Sequence, residues 1–441
     1  MEPFGKIEFS VRAGSVVSHG WEQVRGEGLP LMDRPGRQGA QGLCRVLAAA
    51  LVLLFGCGEE GSSPDAAPEA RWTVMVYMAG DSDISGAAFS DINEMEQVGS
   101  TADVNVVVQV EFSNQLTPLY PWDTLRGRVT RDDDPYSIGS DLTRMANLDM
   151  TAPGTLSGFI QWAAGTYPAE RYALVLWSHG LGWKGQDKGM FVDETTAGTG
   201  SMMSLSAMAG ALRQGGVVFD VIDFDSCLMG MYEVAYEVRD AAEYITFSEA
   251  PFPVFGDPYG TILGPLAQDP DMGALELARL IPAACDDRFG VMGIPFTKSA
   301  IRSASMDEVH ACVEDLADSL VRAMGAEAEA IRAAVSDTVQ YHSFLYRDLG
   351  DFLDRIREAT TNEGILACAD ALEEALEDLV VENRFCGSNG YEAYERSHGL
   401  SIYLPAPGLN VNQGFDTYEA LSCNRGGATT WSDFLAVMLP L

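Results

Sequence analysis

Between Arg71 and Phe247 the sequence predicts an α/β fold: a mainly parallel central sheet with helices on both faces. Two observations carry this expectation. Short apolar runs of strand length, rich in Val, Ile and aromatic residues, end at polar residues or Gly. Segments with apolar residues at helical spacing separate them, and such alternation buries a sheet from both sides. A third observation limits the pattern: past about Asp269 the chain reads as long acidic amphipathic helices.

In order, Trp72–Met78 is a buried strand, and Ser85–Val98 is a helix on the spacing of Ala88, Ile92, Met95 and Val98. Val104–Val110 is a second strand, Tyr120–Val129 a short hairpin and Leu156–Ala164 a helix. Tyr172–Trp177 is a third strand, Leu205–Leu212 a helix and Val217–Phe224 a fourth strand. Met229–Val238 is expected helical, and Tyr244–Phe247 is a fifth strand. Helices follow over Leu275–Ala284, Met306–Ala323, Glu327–Gln340, Leu349–Arg357 and Ile365–Val381. Leu400–Leu404 returns to β character, and Trp431–Met438 closes the chain as a helix. The expected division is a catalytic α/β core over 71–265, a helical region over 266–395, and a strand and helix over 396–441 that complete the core.

The 441 residues suffice for a large buried core, and 47% hydrophobic with 21% charged residues excludes a wholly disordered chain. The 64 Asp and Glu against 28 Lys and Arg argue against nucleic acid, because phosphate binding needs the opposite field. Cationic peptides or hard cations suit the charge, which also serves solubility.

The first 57 residues read as processing. Val46–Gly56 is an apolar run too short to span a bilayer, preceded by Arg34, Arg37 and Arg45 and followed by Cys57. The ending Leu54-Phe55-Gly56-Cys57 resembles a bacterial lipobox, which implies lipidation at Cys57. Residues 1–31 are long, mixed in charge and Gly-rich for a signal, so the expected start is Met32. A plain secreted protein is the alternative. Residues 58–70 are rich in Ser, Pro, Ala and Glu, as a flexible tether would be. Cys227, Cys285, Cys312, Cys368, Cys386 and Cys423 remain beyond the tether; no C-x-x-C pair occurs, and their pairing is left open.

Two strand ends hold the chemistry. Ligands and catalytic groups gather at the carboxyl ends of parallel strands. The third strand runs into Trp177-Ser178-His179-Gly180, and the fourth into Asp225-Ser226-Cys227. His179 and Cys227 are the only His and Cys of the α/β region. They lie 48 residues apart, enough for one crossover between neighbouring strands. A thiol attacks carbonyls as thiolate, so it needs a base such as His179. The Gly180 and Cys227 N–H groups can form an oxyanion hole. A helix beginning at Cys227 would favour the thiolate further.

Trp72–Asp81 (WTVMVYMAGD), Leu176–Trp183 (LWSHGLGW) and Asp223–Glu233 (DFDSCLMGMYE) resemble the motif blocks of the clostripain family of cysteine peptidases, which belong to the caspase-like clan. Ser248-Glu249, Gly256–Tyr259 (GDPY) and His398–Pro405 (HGLSIYLP) extend the resemblance, which runs from about residue 71 to the C-terminus. It implies a caspase-like sandwich, a His179–Cys227 dyad, and an endopeptidase that cuts after Arg or Lys through a thioester; the signal-like segment adds the expectation that it is exported. It also implies that Asp225, two before the nucleophile, holds the cationic P1 side chain, with Asp257 as a second pocket acid. A carboxylate can pair with guanidinium through two hydrogen bonds.

Self-cleavage between the His and Cys blocks would fall near Lys184, Lys188 or Arg213. Calcium is a candidate cofactor by the same resemblance, with Asp81, Asp83 and Asp91 as candidate ligands; no cofactor is required. No third catalytic member is evident, and His398 reads as structural. The expected partners are peptides or proteins with a basic P1, and a membrane through the N-terminal lipid. The rival is a surface-anchored binding protein that keeps the fold without catalysis.

Overall fold

The structure is a computed structural model that describes residues 70–113, 123–183, 189–196, 201–342, 345–388, 393–409, 411 and 414–439. The signal-like segment, Cys57, Lys184 and Lys188 lie outside them. No helix among the described residues is long and apolar enough to cross a membrane.

Strand β1 (Ala70–Gly80) is apolar on both sides because it lies inside the sheet. Met75, Tyr77 and Ala79 enter one core, and Trp72, Val74, Val76 and Met78 enter the core on the opposite face. Helix α1 (Ser85–Val98) follows, and β2 (Val104–Phe112) pairs parallel to β1. The expected hairpin is instead an edge: β3 (Thr124–Arg128) pairs antiparallel with β2, and β4 (Thr143–Arg144) with β3. Helix α2 (Pro153–Thr166) leads to β5 (Ala169–Trp177), on the other side of β1. Helix α3 (Leu205–Gly215) leads to β6 (Phe219–Asp225), parallel to β5. Helix α4 (Tyr232–Val238) leads to β7 (Ala242–Phe247), parallel to β6.

Helices α5 (Tyr259–Gln268) and α6 (Ala274–Cys285) precede β8 (Phe296–Arg302), which pairs antiparallel with β7. One helix, α7 (Met306–Asp337), replaces the two expected there, with Val309, Val313, Leu316, Leu320 and Ile331 on its buried stripe. Strands β9 (Gln340–His342) and β10 (Tyr346–Asp348) follow. Helices α8 (Leu349–Ala359) and α9 (Glu363–Leu379) come next, then β11 (Val380–Cys386), antiparallel to β8. Strand β12 (Ser401–Tyr403), α10 (Phe415–Glu419) and α11 (Trp431–Met438) end the chain.

The large sheet therefore runs β11-β8-β7-β6-β5-β1-β2-β3-β4: five parallel strands with antiparallel strands at both edges. Helices α1, α5 and α6 cover one face, and α2, α3, α4 and α7 the other. Residues 266–395 are not purely helical, because β8 and β11 join this sheet. Periodicity hides β8 because Thr297, Lys298 and Ser299 are polar yet buried. Each has a partner: Thr297 Oγ1 accepts the Glu249 and Ala250 N–H groups, Ser299 donates to the Gly399 carbonyl, and Lys298 is ion-paired. Strand β12 joins a separate sheet, β12-β10-β9, rather than the large one. The Met231–Ser401 bridge links it to the segment after β6.

Candidate active site

Strands β5 and β6 are hydrogen-bonded neighbours, and Trp177 pairs in register with Asp225. His179 and Cys227 each stand two residues beyond that pair. Both line one cleft with Ile84, Trp177, Ser178, Asp225, Phe252 and Gly256. Gly180 is what allows the two loops to close up. A Cβ there would stand 2.4 Å from the Cys227 carbonyl oxygen and 2.9 Å from Ser226 Oγ. The Gly180–Met190 bridge is made by Leu181 N–H to Gly189 O and Phe191 N–H to His179 O, so it does not use the Gly180 N–H.

The turn after β6 corrects one expectation. Cys227 does not begin a helix: α4 starts only at Tyr232, and Met231 is extended. Leu228 adopts φ 62°, a left-handed conformation that costs a non-Gly residue energy and here turns the chain sharply after the thiol. The thiolate therefore gets no helix-terminus support. Its local donor is the Phe252 N–H, 3.2 Å from Sγ. Burial and, more weakly, the Asp225 charge still push the thiol above its ordinary value. Among the described residues no hydrogen bond joins His179 to Cys227; the thiol sits 3.8 Å from the Phe252 carbonyl.

His179 has a partner that sequence reasoning missed. Asp83 Oδ1 lies 2.6 Å from His179 Nε2. Asp83 follows the end of β1, the strand beside β5, and that topological position was the available signal. The Asp83 side chain is 82% exposed, so water screens the pair, and it orients the ring more than it stabilises a charge.

The cleft floor is acidic. Asp225 Oδ2 accepts the Asp257 N–H at 3.0 Å and the Tyr259 hydroxyl at 2.8 Å. Burial pushes this carboxyl up to about 6; Lys298 opposes the rise and Asp223 adds to it. Asp91, at the far side of Gly256, accepts Trp177 Nε1–H at 2.8 Å. Burial, and then the charge of Asp225, hold Asp91 above the usual carboxylate range. Gly256 (φ 62°) fits between them: a Cβ there would lie 2.6 Å from Asp91 Oδ2 and 3.0 Å from Asp225 Oδ2.

Asp257 does not serve as a second cleft acid. Its side chain is fully buried, with Oδ2 2.9 Å from Lys298 Nζ and Oδ1 accepting the Cys285 thiol at 3.1 Å. Lys298 also pairs with Asp223 at 2.9 Å. Burial alone would lower the lysine, but its two carboxylates outweigh that and keep it protonated. Asp257 acts on the cleft through its backbone N–H to Asp225.

The other expected groups scatter. Asp81, Asp83 and Asp91 do not converge, since Asp83 faces His179 and Asp91 faces Trp177. Arg213 is exposed in the last turn of α3. His398 Nδ1 pairs with Asp348 at 2.8 Å, and that bond raises the imidazole to about 9, a tie between β10 and the chain before β12. The six cysteines among the described residues are free thiols. A thiol, an imidazole, a close-approach glycine and a buried carboxylate in one cleft can perform acyl transfer.

A model of the clostripain family matches residues 76–437. Clostripain of Hathewaya histolytica is 25% identical over 192 residues, which cover 38% of this chain and 36% of clostripain. The matched segment thus spans about a third of that relative. An inactive zymogen C11 protease from Parabacteroides distasonis has a similar fold: TM-score 0.61, 22% identity, 81% of this chain and 97% of that one. A secreted C11 cysteine protease from Bacteroides thetaiotaomicron, solved with an irreversible peptide inhibitor, gives TM-score 0.61, 20% identity, 83% of this chain and 100% of that one.

Proposed function

The chain belongs to the clostripain family, and from that premise we propose that it is an exported cysteine endopeptidase that cleaves after Arg or Lys. One observation supports this above the others: His179 and Cys227, each two residues past the in-register Trp177–Asp225 pair, line one cleft with the buried Asp225 carboxylate. A P1 cation pairs with Asp225. That pairing removes the negative charge that raises the Cys227 thiol, so substrate binding itself favours the thiolate.

His179 takes the thiol proton as Sγ attacks the scissile carbonyl carbon. The Gly180 and Cys227 N–H groups receive the oxyanion. Collapse of the tetrahedral adduct breaks the C–N bond, and His179 returns the proton to the leaving amine. Water, losing a proton to His179, then hydrolyses the thioester. Asp83 positions the imidazole.

The test is turnover of a fluorogenic Arg-P1 peptide by folded protein, beside an Ala-P1 peptide and Cys227→Ala. Arg-P1 cleavage that vanishes in Cys227→Ala is expected. Cleavage that survives in that variant would sink the reading. Export and a lipid anchor at Cys57 rest on the residues before Ala70. They are checked by palmitate labelling in wild type and its loss in Cys57→Ser.

A second reading, a silent binding protein, is favoured by the thiol's turn toward Phe252 rather than His179. An activity-based probe with basic P1 separates the two. Labelling of Cys227 after tryptic nicking of the 184–188 segment supports the peptidase, and no labelling of folded, nicked protein supports binding alone.

A further inference from the structure

Between the nucleophile and the cleft floor the chain makes one exposed apolar turn. The Gly256 N–H bonds the Pro253 carbonyl at 3.1 Å, which closes a four-residue turn with Val254 and Phe255 at its two central positions. Gly suits the fourth position of such a turn, while the centre more often holds Pro, Asn, Asp, Ser or Gly. Here both central side chains are large and apolar, and they stand 60% and 52% exposed. Turn geometry asks for neither of them, and the fold buries neither.

The turn is held at both ends by groups of the site. On one side the Phe252 N–H reaches Cys227 Sγ at 3.2 Å, and the Phe252 ring is buried edge-on against Phe289, with centroids 5.8 Å apart. On the other, the Asp257 N–H reaches Asp225 Oδ2 at 3.0 Å. Val254 thereby lines the same cleft as His179 and Cys227. Single exposed apolar residues are ordinary, but two adjacent ones at the lip of a cleft form a surface continuous with it. A turn already fixed at both ends loses little freedom when a ligand settles on it, so burial of its apolar surface goes into binding.

Sheet order decides which part of a peptide meets the turn. Strands β5, β6 and β7 are successive neighbours; His179 follows β5, Cys227 follows β6, and the turn follows β7. His179 protonates the leaving amine, so the half of the substrate that leaves lies on the β5 side of the thiol. The acyl half lies on the β7 side. With P1 on the Asp225 floor, the next side chain of the acyl half, P2, comes to the turn.

We propose that Val254 and Phe255 form an apolar S2 shelf, which selects peptides with a large aliphatic or aromatic residue immediately before the P1 cation. The direction of the bound chain rests on the peptidase reading above.

The first measurement is steady-state kcat/KM for Arg-P1 fluorogenic peptides with Leu, Phe or Ser at P2, and for internally quenched ones with Leu or Ser at P1′. Leu and Phe at P2 should exceed Ser by at least about tenfold, with a P1′ ratio below about threefold. Val254→Ser combined with Phe255→Ser should bring the P2 ratio below about threefold. Val218→Ser, at a 74% exposed valine just before the opposite end of β6, should leave the ratio as it is. The second measurement needs no turnover: fluorescence anisotropy of Cys227→Ala protein with labelled peptide amides ending in Leu-Arg, Phe-Arg or Ser-Arg, where the same P2 ratio is expected. A P2 ratio in binding without turnover by the wild type would overturn the peptidase and keep the shelf. Turnover without a P2 ratio, a ratio unchanged by the paired substitution, or an apolar preference at P1′ in its place would overturn the shelf and keep the peptidase. Neither turnover nor a P2 ratio in binding would overturn both.

Discussion

Asp225→Asn isolates charge from shape in the cleft. The asparagine amide keeps an oxygen for the Asp257 N–H and the Tyr259 hydroxyl, which now lie 3.0 and 2.8 Å from Oδ2. Only the negative charge is lost. A substrate guanidinium in so buried a site would lose a charged partner at a cost of about 2–5 kcal/mol. At about 1.4 kcal/mol per decade, kcat/KM for an Arg-P1 peptide should fall by roughly thirtyfold to several thousandfold. An Ala-P1 peptide should change by less than about threefold, because it never used the charge. The pH dependence is a second, independent readout. Burial raises the Asp225 carboxyl to about 6, and only the ionised form holds a cation. Wild-type kcat/KM for Arg-P1 should therefore fall more steeply than that for Ala-P1 as pH drops below about 6, and Asp225→Asn should remove that difference. The assay is steady-state kinetics on both peptides across that range. Arg preference retained in Asp225→Asn, or an Arg-specific loss at low pH that persists in it, would refute the assignment and shift attention to Asp91.

Three further outcomes follow from the same geometry. Lys298→Met leaves Asp223 and Asp257 buried without their cation and should cost about 3–5 kcal/mol in urea denaturation, while a loss under about 1 kcal/mol would show that the acids simply take up protons. Gly180→Ala places a Cβ 2.4 Å from the Cys227 carbonyl oxygen, so kcat/KM should fall at least about tenfold while the melting temperature shifts by only a few degrees; unchanged kinetics would remove Gly180 from the site. Glu233 is fully buried, with Oε1 held by the Tyr403 N–H and the Tyr418 hydroxyl and Oε2 without a partner, and burial raises it from 4.5 to about 7. Native protein thus holds this proton longer than unfolded chain. Its contribution is fully present below about 4.5 and is lost, by roughly 3 kcal/mol, as pH rises through about 7. Glu233→Gln should flatten stability across that window, and an unchanged slope would assign it to other acids.

The parallel core is legible because its strands are buried on both faces, which leaves unbroken apolar runs such as Trp72–Met78 and Val104–Val110. The limits of α1 are equally plain, since one face alone is apolar. Strands β8 and β11 escape because their signal is not hydrophobicity. Strand β8 buries Lys298 against Asp223 and Asp257, groups 75 and 41 positions away in sequence. Strand β11 is a half-exposed edge that, among the described residues, pairs only with β8.

The candidate site divides along the same line. Which residues carry chemistry, and that His179, Gly180, Asp225 and Cys227 fall just past or at strand ends, is local information written in the order of strand, turn and helix. Their surroundings are not local. Asp83 reaches His179 because β1 and β5 are neighbours. Asp257 looks like a cleft acid in sequence but is claimed by a buried lysine. Cys227 looks like a helix start, but a left-handed Leu228 and the Met231–Ser401 bridge keep the chain out of a helix until Tyr232. Asp81, Glu111 and Asp193 share a cluster across more than a hundred positions. Apolar periodicity depends on each residue's own side chain and its near neighbours, so one dimension suffices to read it. The state of a buried charge depends on every charge and donor within a few ångströms, and only the folded chain decides which those are.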